Sequence, residues 1–152
     1  MLGAWANAEN AKTILDIGTG SGLIALMLAQ RFPDSKITGV ELDKASFNQA
    51  SENASNSPFA ESVHIINGDF LQFAFVEKYD LVVSNPPFYK GNTSTGKSER
   101  DRARHEEHLP QSAFLAKAAE LLNPTGKLAV VLPKEEAEDF VQEARYQNLF
   151  LN

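Results

Sequence analysis

The 152-residue sequence contains no cysteine, which rules disulfides, thiolate-ligated zinc, iron–sulfur clusters and thiol catalysis out of its chemistry. A cysteine-free chain fits a reducing compartment, and a cytoplasmic location is expected. Long hydrophobic runs are missing too. The longest apolar stretch, "GLIALMLAQ", falls well short of the ~20 residues needed to cross a bilayer, so no membrane partner is expected. The opening "MLGAWANAEN" lacks the positive n-region of a secretory signal. There is no internal repeat, low-complexity tract or interdomain linker, and the length suits a single domain with a sizeable core.

Positive charge is also scarce. With 14 Lys and Arg against 20 Asp and Glu, the net charge is −6, so the chain as a whole is no polyanion binder. The bases are unevenly spread, however. Five of them (Lys90, Lys97, Arg100, Arg102 and Arg104) lie within 90–108, beside His105 and His108. Four acids share that stretch, which leaves it at +1 with neutral histidines: a solvated mixed-charge loop or a local nucleic-acid contact.

What the sequence does hold is a regular alternation. "TILDIG" (13–18), "KITGVEL" (36–42), "VHIING" (63–68), "YDLVVSN" (79–85) and "KLAVVLP" (127–133) read as strands. "SGLIALMLAQRF", "KASFNQASENA", "SAFLAKAAELL" and "EEAEDFVQEARY" carry apolar residues at helical spacing. Near-continuous apolar strands separated by helices predict an α/β fold, a doubly wound Rossmann-like open sheet. The 89–110 stretch, rich in Gly, Ser, Thr and charge, exceeds the usual loop length and reads as a functional loop. "LGAWANAEN" resembles a helix tail and "YQNLFLN" the start of a sixth strand, so the chain is expected to be a fragment of a larger domain.

Chemistry collects at the strand ends. "LDIGTGSG" leaves the first strand with glycines at 18, 20 and 22, which permit positive φ and close approach of a ligand to the backbone. Its spacing is not the G-x-G-x-x-G of dinucleotide sites. Glu41 closes the second strand, where a carboxylate can accept from both hydroxyls of a ribose. Asp69 closes the third, where it can accept from an adenine amine while Phe70 offers an apolar contact.

The fourth strand ends in "NPPF" (85–88). Pro86 holds Asn85 extended, so the Asn85 side-chain carbonyl and the Pro86 backbone carbonyl can both accept from one planar –NH₂. Phe88 supplies a face for a planar ring. Two acceptors and a stacking face suit methyl transfer to an aromatic or amide nitrogen, whose delocalised lone pair must be oriented toward the electrophile. No Ser–His–Asp set or metal-ligand cluster competes, no metal is expected, and His64 reads as a packed strand histidine.

With these motifs the sequence resembles the class I S-adenosylmethionine-dependent methyltransferases of the NPPF/Y branch, essentially along its whole length. Within that branch it is most similar to bacterial tRNA adenine-N6 methyltransferases that act on a valine tRNA next to the anticodon, through "LGAWA", the 22–31 stretch, "SNPPFY" and the 100–105 stretch. The resemblance implies the strand order 3-2-1-4-5, S-adenosylmethionine as cofactor and tRNA as substrate and partner, with a monomer favoured. It implies that Asp16, Gly18, Gly20 and Gly22 surround the methionine moiety, that Glu41 and Leu42 hold the ribose, and that Asp69 and Phe70 bind the adenine. Asn85, Pro86, Pro87 and Phe88 would hold the target base, with Asn85 also facing the cofactor, and Tyr89, Lys90, Arg102, Arg104 and His105 would contact RNA. Relative to that family the sequence lacks a segment before "LGAWA" and the sixth and seventh strands, so residues 1–152 read as one methyltransferase core. An rRNA guanine-N2 methyltransferase, a protein glutamine-N5 methyltransferase and a nucleotide-binding module without transfer activity are the alternatives.

Overall fold

Strands that are apolar on both faces need cover on both sides, and the chain supplies it by winding helices in two directions. The computed structural model describes residues 2–7, 9–86 and 110–151. Among these the order is α1 (Leu2–Trp5), β1 (Thr13–Ile17), α2 (Leu23–Arg31), β2 (Lys36–Glu41) and α3 (Lys44–Ser55). Then come β3 (Val63–Asn67), β4 (Tyr79–Ser84), α4 (Gln111–Leu121), β5 (Leu122–Val130) and α5 (Lys134–Tyr146). All strand pairs are parallel, as the apolar pattern predicts, and the order is β3-β2-β1-β4-β5, as the resemblance implies.

Alternation along each strand divides the core in two. On one face, Ile14, Ile37, Leu81 and Val83 pack with Leu2, Ala25, Leu28 and Ala54 beneath α1, α2 and α3. On the other, Leu15, Val40 and Val82 pack with Phe114, Leu115, Phe140 and Ala144 of α4 and α5. Each fully buried Leu or Ile in these layers contributes about 1.5–3 kcal/mol. The β3-to-β4 crossover carries no helix. Phe70, Leu71 and Phe75 fill the second core in its place, with the Phe70 ring 6.0 Å from Phe75 and 5.7 Å from Phe114.

Three sequence expectations are corrected. β5 starts at Leu122, directly after α4, and ends at Val130 rather than running over 127–133. "LNPTG" reads as a turn, yet β5 lies at the sheet edge, where a proline need not donate to a ladder. Gly126 marks an irregularity there: a Cβ would sit 2.8 Å from the Tyr79 carbonyl oxygen. "YQNLFLN" forms no strand over its described residues. Asn148 takes φ 59° and the Leu149 N–H donates to the Ala144 carbonyl at 3.0 Å, which ends α5 in a turn. His64 lies in β3 but is exposed rather than packed, because β3 is the other edge strand.

Candidate active site

The carboxyl ends of β1, β2, β3 and β4 lie along one edge of the sheet, and the loop after β1 is the most heavily anchored part of it. Gly18, Gly20 and Gly22 take φ of 68°, 59° and 82°, a region where side chains are strained. A Cβ on Gly18 or Gly20 would meet nothing within 4 Å, so the loop leaves open space above its backbone. It is tied down from below. The N–H groups of Gly18 and Thr19 both donate to the Val40 carbonyl, at 2.9 and 3.1 Å, and Asn53 of α3 donates to the Ser21 carbonyl at 2.9 Å. α2 then begins with Gly22 as its N-cap and no side-chain cap.

Asp16 stands beneath this loop, fully buried. Its Oδ2 accepts from the Thr19 hydroxyl at 2.6 Å, whereas Oδ1 has no hydrogen-bond partner among the described residues. Burial pushes its pKa from 3.8 up to about 6, against the pull of the Thr19 hydroxyl and a weaker pull from the Ala25 N–H; the charge on Glu41 adds a small upward push. A buried carboxylate oxygen without a donor costs about 1–3 kcal/mol, and such groups mark places where a ligand completes the shell.

Glu41 bridges two segments. Oε2 accepts from the Gly20 N–H at 2.8 Å and Oε1 from the Asp43 N–H at 2.9 Å. Each oxygen retains a further acceptor direction, so the carboxylate is aimed by the backbone without being used up. Asn67 holds this tip from the β3 side, donating to the Glu41 and Leu42 carbonyls at 2.9 and 3.1 Å. Leu42 is 63% exposed, an apolar surface next to the acid. Asp69 is half-buried and closes its own turn: Oδ1 accepts from the Leu71 N–H at 2.9 Å and Oδ2 from the Gln72 amide at 2.8 Å. The Phe70 ring is only 5% exposed and faces the core, so it supports this turn from within rather than offering an open face.

β1 and β4 are neighbours, with Ile17 opposite Ser84, and this pairing sets Asn85 beside the glycine loop. The Ser84 hydroxyl fixes the contact by donating to the Ile17 carbonyl at 2.9 Å. Here the chain leaves β1 toward α2 on one face and β4 toward α4 on the other. Such a switch point opens a crevice at the sheet edge. Asn85 is exposed and Pro86 buried. Pro87, Phe88, Tyr89, Lys90, Arg102, Arg104 and His105 lie outside the described residues.

Four further contributors were not singled out from sequence. Thr19 is the partner of Asp16, and Gly39 makes room for it: a Cβ on Gly39 would fall 3.0 Å from Thr19 Cγ2 and 2.9 Å from Ile65 Cδ1. A glycine inside an apolar strand was the available signal. Asn53 and Asn67 left none, since they act through contacts distant in sequence. A separate shallow polar cleft between Asn10, Asp80, Thr125 and Lys127 lies at the opposite edge of the sheet. Among the described residues no group of three or more His, Cys, Asp or Glu could hold a metal, and no helix is long and apolar enough to cross a membrane.

Residues 2–149 match the family model "Methyltransferase small domain". The chain belongs to the methyltransferase small domain family. It is 44% identical over 148 residues to a tRNA1(Val) (adenine(37)-N6)-methyltransferase of Porphyromonas gingivalis, covering 91% of this chain and 58% of that protein. It is 48% identical over 147 residues to the protein of the same name from Enterobacter sp., covering 95% and 60%. A third of that name, from Vibrio vulnificus, is 40% identical over 152 residues, covering 100% and 64%. This methyltransferase small domain thus spans about three fifths of the length of these curated relatives. Solved structures share its fold. An O-methyltransferase from a Brevibacillus brevis trans-AT PKS multienzyme, in complex with S-adenosyl-L-homocysteine, has TM-score 0.65 at 16% identity, over 91% of this chain and 47% of that one. A TehB-like SAM-dependent methyltransferase from Corynebacterium glutamicum has TM-score 0.62 at 20% identity, over 90% and 64%.

Proposed function

We infer that this chain is the catalytic core of an S-adenosylmethionine-dependent methyltransferase acting on the exocyclic N6 amine of an adenosine in tRNA. The names of its relatives, tRNA1(Val) (adenine(37)-N6)-methyltransferases, support a valine tRNA and its adenine 37 as substrate; the proposed place of action is the cytoplasm. The observation that carries the reading is the β1–β4 pairing, which sets Asn85 and Pro86 beside a loop of three left-handed glycines.

The residues present fit the cofactor. Open space above Gly18 and Gly20 can take a ligand against the backbone, and the unpaired Asp16 Oδ1 beneath it suits an ammonium-bearing group. Gly22 ends the loop, Glu41 offers its free acceptor directions to the ribose hydroxyls, and Leu42 and Asp69 frame the adenine, with Phe70 supporting the Asp69 turn from the core. Bound there, S-adenosylmethionine supplies an electrophilic methyl group. Asn85 and Pro86 orient the substrate amine through two acceptors, and Pro87 and Phe88 continue the clamp on the base. Asn85 is a weak base, so it positions the amine rather than removing its proton in advance. Tyr89, Lys90, Arg102, Arg104 and His105 would contact RNA, whose target base must leave its stack to reach the crevice.

The test is methyl transfer to total RNA lacking its own modifications, followed by nucleoside analysis. N6-methyladenosine is the expected product. N2-methylguanosine would replace the substrate assignment, and no labelled nucleoside at all would overturn the RNA reading.

A further inference from the structure

α5 follows β5, so its first turn sits at the carboxyl edge of the sheet, next to the strand that ends in Asn85. The Val131 N–H donates to the Ser84 carbonyl at 3.2 Å, which ties the entry of α5 to the residue just before Asn85. Along α5 the core-facing stripe holds Phe140 and Ala144, both buried. One turn earlier on that stripe, where an apolar residue would ordinarily stand, is Glu136.

Its carboxylate is not explained by the helix. A glutamate three positions after the N-cap normally reaches back to the N-cap N–H. Here the N-cap is Pro133, which has no N–H to give, and no side-chain cap bond forms. Glu136 Oε2 is withdrawn from water and has no hydrogen-bond partner among the described residues. Only one other buried side-chain oxygen among them shares that condition, Asp16 Oδ1 on the cofactor side. The two orphaned oxygens therefore sit under opposite faces of one sheet edge, with the switch point between them.

A carboxylate at this place repels phosphate and attracts a donor. The reacting amine already has two acceptors in Asn85 and Pro86, so the donor must be another group of the same nucleotide. Inside an RNA chain the 3′-oxygen is esterified, which leaves the 2′-hydroxyl as the ribose donor, and that group separates RNA from DNA. Resting on the reading above, we propose that Glu136 accepts a hydrogen bond from the 2′-hydroxyl of the target nucleotide and thereby selects RNA over DNA.

The experiment compares two oligonucleotides that differ only at the target position, ribo or 2′-deoxy, with wild type, Glu136→Gln and Glu136→Leu in the full chain. Wild type should favour the ribo substrate about tenfold or more in kcat/KM, the scale of one hydrogen bond to a charged group. Glu136→Leu should bring that preference close to one by losing activity only on the ribo substrate, and Glu136→Gln, which keeps an acceptor oxygen, should recover part of it. Because leucine completes the apolar stripe, the Tm of Glu136→Leu should hold or rise by about 2–4 °C. A preserved ribo preference in Glu136→Leu, or none in wild type, overturns the proposal while leaving N6 methylation intact. A fall in Tm assigns the carboxylate to a partner within the chain and overturns it as well. Wild type that methylates neither substrate nor any RNA removes this inference together with the reading beneath it.

Discussion

Two acids at opposite ends of the sheet, Asp80 and Asp16, are held in opposite ways. At the amino edge, Asp80 is surrounded by donors: Oδ2 accepts from the Lys12 and Thr13 N–H groups at 2.7 and 3.2 Å, and Oδ1 from the Asn123 amide at 2.7 Å. These bonds, the Lys12 N–H foremost, hold its pKa below the ordinary 3.8 despite partial burial. At the carboxyl edge, Asp16 is fully buried with one side-chain donor, the Thr19 hydroxyl, and burial raises its pKa. Satisfaction at Asp80 and shortage at Asp16 fit the proposed reading, in which Asp80 holds the fold and Asp16 lies under the cofactor.

The largest effect that would break this contrast belongs to the carboxyl edge. Asn85→Ala should lower methyl transfer about 10²-fold or more, by analogy with the loss of one oriented polar group at a reaction centre, while calorimetry still registers cofactor binding. An unchanged rate would remove Asn85 from the positioning role. Next in size, Asp16→Asn should raise stability at pH 7.5 by about 2–3 kcal/mol, read from chemical denaturation. The sign follows from the folded-state pKa of about 6 standing above 3.8. The folded chain binds the proton more tightly, so wild-type stability falls as pH rises from about 4 to about 6, and the variant should lack that slope. A destabilised variant would mean that Asp16 is structural after all.

Asp80→Ala should do the reverse, costing about 1–2 kcal/mol through the backbone N–H groups left without an acceptor. Its lowered pKa has the opposite linkage: the stabilisation is present above pH 3.8 and is lost as pH falls through the lowered value, so the cost of the substitution should shrink in acid. Equal costs at pH 7 and at strongly acidic pH would contradict this. The smallest effect is Glu41→Ala, expected to weaken cofactor binding about tenfold, the scale of a lost charge-assisted hydrogen bond. Equal affinity by calorimetry would refute the ribose assignment.

Much of this molecule is legible in the chain itself. The five strands and the glycine loop follow from local causes: apolar runs bounded by turn residues, helical spacing between them, and glycine's access to positive φ. The early start of β5 at Leu122 is not legible, because Asn123-Pro124 and Thr125-Gly126 are turn-forming pairs that only an edge strand can absorb. His64 was misjudged because an apolar neighbourhood does not reveal that its strand is outermost. The acids at positions 16, 41 and 69 could be named from the sequence, but not their differing states.

By itself, then, the sequence determined which residues could do chemistry and on which strand tips they stand, since both depend on neighbours a few positions away. Only the tertiary structure decided which acids are satisfied and which are not. Thr13 meets Asp80 across 67 positions, Gly20 meets Glu41 across 21, and Gly39 clears the space in which Thr19 reaches Asp16. Burial and hydrogen-bond supply are set by such distant contacts, and they separate the fully bonded carboxylate of Asp80 from that of Asp16, which keeps one oxygen without a partner among the described residues.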